Sequence, residues 1–156
     1  MERPPNLASA VEAAAEALVG VLDDARSQHP SPVSPTQLRV LSLINGRPDT
    51  NVNKLAELLQ VVPSSASRLC DRLEAIGLIR RVPDQRDRRE VHLLLTGAAQ
   101  TLLGELRERR CQALQVVLDA MPTRAQHDLL AALLAFAEAA TPLAQAVASE
   151  VEARTA

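Results

Sequence analysis

At Gly77 the hydrophobic spacing of this sequence switches from helical to strand-like. Before it, apolar residues recur every three to four positions: Val52, Leu55, Ala56 and Leu59, then Ala66, Leu69, Cys70 and Leu73. After it come two β-capable runs, Leu78–Val82 and Val91–Leu95. They flank Pro83-Asp84-Gln85-Arg86-Asp87-Arg88-Arg89-Glu90, which is polar and too long for a tight turn. Two short helices joined through Gln60-Val61-Val62, followed by a hairpin with a basic tip, predict a winged helix-turn-helix.

Local signals place the remaining elements. Leu7, Val11, Leu18, Val21 and Leu22 predict a first helix from about residue 7 to 28. The prolines of His29-Pro30-Ser31-Pro32-Val33-Ser34-Pro35 stop it. Ser34 then caps a helix that has Pro35 at its first position and Leu38, Leu41 and Ile44 on one face. Asn51 caps the next, Pro63 starts the one after, and Gly77 stands where a helix end takes a left-handed residue. Thr96 caps a long helix over about 97–120, broken at Pro122. Thr123 caps a last helix bearing Leu129, Leu130, Leu133, Leu134 and Phe136, which Pro142 kinks or ends. With 26 Ala and 25 Leu in 156 residues, the expected fold is mainly α, with one two-stranded β-wing.

Composition excludes several functions. There is no Trp, no Tyr and a single Phe, so base-stacking platforms and aromatic cages lack their material. Cys70 and Cys111 make no disulfide framework, and His29, His92 and His127 show no ligand spacing, so no metal and no cofactor is expected. No serine-histidine-aspartate pattern, glycine-rich phosphate loop or carboxylate pair appears, so no enzyme is expected. No apolar run nears the roughly 18 residues of a membrane span, and the start is no signal peptide. The expectation is a cytoplasmic protein with reduced thiols and no membrane partner.

Charge points to double-stranded DNA. The formal total is only -2, but residues 34–96 hold 10 Lys+Arg against 7 Asp+Glu, while the rest hold 7 against 12. A basic middle lies between acidic ends. The outward face of the second short helix is small and polar, with Ser64, Ser65, Ser67, Arg68, Asp71 and Arg72. Such a face can approach base edges in a major groove. Serines near a helix N-terminus can bond phosphates, helped by the dipole. The tip, with Arg86, Arg88 and Arg89, suits a narrow minor groove.

Leu55-Ala56-Glu57-Leu58-Leu59, Pro63-Ser64-Ser65-Ala66-Ser67-Arg68-Leu69-Cys70-Asp71-Arg72-Leu73-Glu74, Gly77-Leu78-Ile79-Arg80-Arg81 and Asp84-Gln85-Arg86-Asp87-Arg88-Arg89 followed by Leu95-Thr96 resemble the MarR family of bacterial transcription regulators. The resemblance implies a homodimer whose N- and C-terminal helices intertwine. Residues 1–33 and 97–156 would form the dimerisation region and 34–96 the DNA-binding domain. Asp87 would orient Arg89. An effector, by analogy anionic or phenolic, would lie near Leu18, Leu22, Arg26, Leu38 and Leu41. The function so implied is a ligand-responsive regulator, a repressor, on a pseudo-palindromic promoter site. Two alternatives stay open: a winged-helix module that binds protein, and an oxidant sensor working through Cys111 beside Arg109 and Arg110.

Overall fold

The structure is a computed structural model that describes residues 6–27, 31–83 and 91–155, with side chains described as far as residue 140. Its elements run α1 (Leu7–Ser27), α2 (Pro35–Gly46), α3 (Val52–Leu59), α4 (Pro63–Ala75), β1 (Ile79–Pro83), β2 (Val91–Leu95), α5 (Gly97–Asp119) and α6 (Thr123–Thr155). They fall into two compact units. Residues 1–32 with 104–121 form one, and 33–103 with 122–156 the other.

Side-chain chemistry sets the helix ends. Ser34 and Gln37 form a reciprocal capping box: the Gln37 N–H donates to Ser34 Oγ at 3.3 Å and the Ser34 N–H to Gln37 Oε1 at 2.8 Å. Asn51 Oδ1 accepts the Lys54 N–H at 2.9 Å. At the end of α4, Gly77 has φ 74°. The Gly77 N–H donates to Glu74 O and the Leu78 N–H to Leu73 O, both at 2.9 Å. That pair of bonds is a Schellman closure, and it needs the positive φ that glycine adopts without strain.

β1 and β2 pair antiparallel, from Ile79 opposite Leu95 to Pro83 opposite Val91. A third piece of backbone joins them, because the Leu93 N–H donates to Thr50 O at 2.8 Å. Thr50 is fully buried and its hydroxyl donates to Arg47 O at 2.8 Å, so this polar group enters the core satisfied. The Thr96 hydroxyl donates to Gly77 O at 2.7 Å while the Ala99 N–H donates to Thr96 Oγ1 at 3.3 Å. One side chain thereby fastens the α4 exit to the start of α5.

The core of this unit is the set of inward stripes that the spacing predicts. Leu41, Leu55, Leu73 and Leu93 have no exposed surface, and Ala66 and Cys70 join them. Burial pushes the Cys70 thiol up to about 11 from its ordinary 9, with Asp71 and Glu74 adding to the rise and Arg81 opposing it. The neutral thiol is a small apolar core group. Cys70 should therefore stay unlabelled by thiol reagents at neutral pH until the chain is unfolded; mass spectrometry of labelled native and denatured protein checks this. Because the folded value is the raised one, the thiol's contribution to stability is complete below pH 9. It drains away as the pH climbs through about 11.

Four sequence expectations change. β1 begins at Ile79 and includes Pro83, because Leu78 is still engaged in closing α4. Leu69 is half-buried at the edge of the stripe formed by Ala66, Cys70 and Leu73. Thr123 is the first helical residue of α6, not its cap: the Gln126 N–H donates to Pro122 O at 3.2 Å. Nor does Pro142 end α6, which runs through it to Thr155. A proline removes one intrahelical bond, and an alanine-rich helix can absorb that loss.

Candidate nucleic-acid interface

The turn between α3 and α4 is made tight by one residue. Gln60 sits in the left-handed region with φ 56°, and its N–H donates to Ala56 O and Glu57 O. The Val61 N–H also donates to Ala56 O, at 3.0 Å. Gln60 thereby takes the conformation that glycine usually supplies. The chain re-enters a helix within three residues. Val62 offers no side-chain cap and Pro63 occupies the first position of α4. Helix geometry leaves the first-turn N–H of Ser64 open to an outside acceptor.

Spacings of three, four and seven put Ser64, Ser67, Arg68 and Asp71 on one face of α4, with Arg72 beside it. Ser64, Arg68 and Arg72 are exposed, and Ser65 and Ser67 are half-buried. Among the described residues, the side chains of Ser64, Arg68 and Arg72 make no hydrogen bond or ion pair. The arrangement offers two free guanidinium groups one turn apart, behind two or three hydroxyls. That set matches the groups that bond phosphate oxygens and guanine edges.

Asp71 is not free, and sequence reasoning missed its partner. Arg81 Nη2 donates to Asp71 Oδ1 at 2.7 Å and Nη1 to Glu74 Oε2 at 2.6 Å. The Arg81 N–H donates to Glu74 Oε1 at 3.2 Å. Strand alternation explains the geometry. Arg81 lies two residues from buried Ile79 and opposite buried Leu93, so it shares their face, while neighbouring Arg80 is exposed on the other. Partial burial works against the Arg81 charge, but its bonds and charge pairing with Asp71 and Glu74 outweigh this and hold its pKa above the ordinary value. A partner ten residues away, reached across a glycine turn, left no signal beyond the bare presence of opposite charges.

The wing residues Arg86, Asp87, Arg88 and Arg89 lie outside the described residues. Of the effector candidates, Leu41 is fully buried in the core with Leu38 close to it in exposure. In the other unit Leu18 and Leu22 are half-buried, and Arg26 faces Asp23 at 3.4 Å. That unit has a cavity of about 420 Å³ between α1 and α5, lined by Val21, Ala25, Arg109, Ala113 and Val116. None of the effector candidates lines it. Among the described residues no group of His, Cys, Asp and Glu could hold a metal, and no helix is long and apolar enough to cross a membrane.

Residues 33–91 match the MarR family. The HTH-type transcriptional repressor MdtR of Bacillus subtilis is 39% identical over 64 residues, which is 41% of this chain and 41% of that protein. The match thus spans less than half of the relative's length. Rv1404 from Mycobacterium tuberculosis superposes with a TM-score of 0.76 at 29% identity, covering 90% of this chain and 97% of that one. A MarR family protein from Bacillus stearothermophilus gives 0.73 at 22% identity, covering 86% and 93%. The fold of this chain is shared with both of these solved structures.

Proposed function

We propose, from the match of residues 33–91 to the MarR family, that the chain is a homodimeric, sequence-specific DNA-binding regulator of transcription, acting as a repressor. The relative MdtR is named an HTH-type transcriptional repressor, which favours a regulator over an enzyme. The observation that carries the reading is the exposed face of α4, where Ser64, Arg68 and Arg72 project without partners among the described residues. In each subunit α4 enters a major groove. The wing, with Arg86, Arg88 and Arg89 at its tip, reaches the adjoining minor groove. The repressor sense rests on the name of the relative MdtR. Occupying a promoter would then block polymerase, and an effector would act by changing the separation of two recognition helices that must meet grooves about 34 Å apart.

Footprinting the purified protein on DNA upstream of its own gene tests this. A protected two-part site that survives excess random competitor DNA supports the reading. No protection, with capture of an acidic protein surface in its place, overturns it in favour of an interaction module. Within a protected site, Arg68→Ala should relax the base preference at one position per half-site, at a cost of about 1–3 kcal/mol. Selection from a randomised duplex pool reads that out, and an unchanged preference would place Arg68 on a phosphate.

A further inference from the structure

We propose that Arg81 is a positioning residue for DNA binding: it cancels the two carboxylates on the recognition helix and holds the wing against that helix. The inference rests on the DNA-binding reading above and adds a residue that touches no DNA. By helical spacing Asp71 belongs to the same face as Ser64, Ser67 and Arg68, and Glu74 is one turn further along. Left alone, two carboxylates there would oppose the phosphates that Arg68 and Arg72 attract. Arg81 engages both at once, with one nitrogen on each, and its side chain is 27% exposed against 58% for Asp71 and 38% for Glu74. A guanidinium so occupied, on the wing face that also carries Ile79, has little left to offer a duplex. Its fork geometry fits two carboxylates in a way an ammonium cannot reproduce.

The same contacts fix the wing. Arg81 is the third residue of β1, and both its backbone N–H and its side chain are bonded to α4. The direction of the hairpin relative to the recognition helix is therefore set by this residue as well as by apolar packing at Ile79 and Leu93.

The test is a coupling measurement on duplex binding by fluorescence anisotropy. R81A should weaken binding to specific and random duplexes by at least roughly tenfold. The pair D71N/E74Q, whose amide oxygens still accept from Arg81, should change little in the wild-type background and recover the charge-repulsion part of the loss in the R81A background. That non-additivity is the signature of Arg81 acting through the two carboxylates. Additive effects, with the salt slope reduced by about one in R81A, would make Arg81 a direct phosphate contact and overturn the proposal. Unchanged binding by R81A would overturn it alone and leave the DNA-binding reading standing. A wild-type chain that binds no duplex overturns both. Should R81A fail to fold, R81Q, which keeps a planar donor without the charge, carries the same cycle. R81K should recover only part of the affinity, because it restores charge without the fork.

Discussion

Raising the salt from about 50 to about 200 mM is expected to weaken binding of this protein to a duplex by roughly 10³–10⁵-fold, as for proteins that make some six to ten phosphate contacts. In a dimer, Arg68, Arg72 and Arg80, exposed in each copy, would supply six cations before any contribution from the wing tip. The effect arises from local charge, since the chain as a whole is at -2. Salt screens any repulsion from the acidic ends as well, so the loss of affinity reports the basic middle. Titrations at four or five salt concentrations give the slope. A flat response would mean that apolar or neutral polar contacts dominate, and the assignment of the α4 face to DNA would fall.

Deleting the chain from Thr123 onward is expected to abolish dimerisation and, with it, nearly all specific binding. α6 has 33 residues, about 50 Å at helical rise. Leu130, Leu134 and Phe136 on it are 57%, 56% and 66% exposed in the single chain. Such a leucine-bearing surface is a partner-seeking surface. Obligate dimers bury roughly 2,000–5,000 Å². A single truncated chain could occupy only one half-site, and the avidity lost on unlinking two half-sites is roughly 10²–10⁴-fold. Light scattering and a half-site competition assay check both parts. The expected products are a monomer or an aggregate; a soluble truncated dimer with full affinity would refute the assignment of α6 to the interface.

What was legible in the sequence was local chemistry. Ser34, Asn51 and Gly77 each fix an element boundary through bonds to residues within five positions, and Pro63 starts α4 through its fixed φ, so their reading needs no tertiary information. The apolar stripes were legible for the same reason, since periodicity reports which face is buried. What escaped was set by contacts between distant positions. Arg81 reads as one more basic strand residue until β1 is laid on α4 and its partners prove to be Asp71 and Glu74. Gln60 carries no mark of the left-handed conformation that the turn imposes on it. Pro142 has a strong local preference against helix interiors, and the continuity of α6 overrides it. Of the candidate site, the face on α4 was readable as a face, whereas which of its charges are free was not.

The bond from the Leu93 N–H to Thr50 O has a mechanical meaning. It ties the second strand of the hairpin, at its midpoint, to the connection between α2 and α3. A load on β2 is met at that point and again at Thr96, whose hydroxyl donates to Gly77 O. Thr50 is itself buried and its hydroxyl donates to Arg47 O, so the strand is anchored in the core and not at the surface.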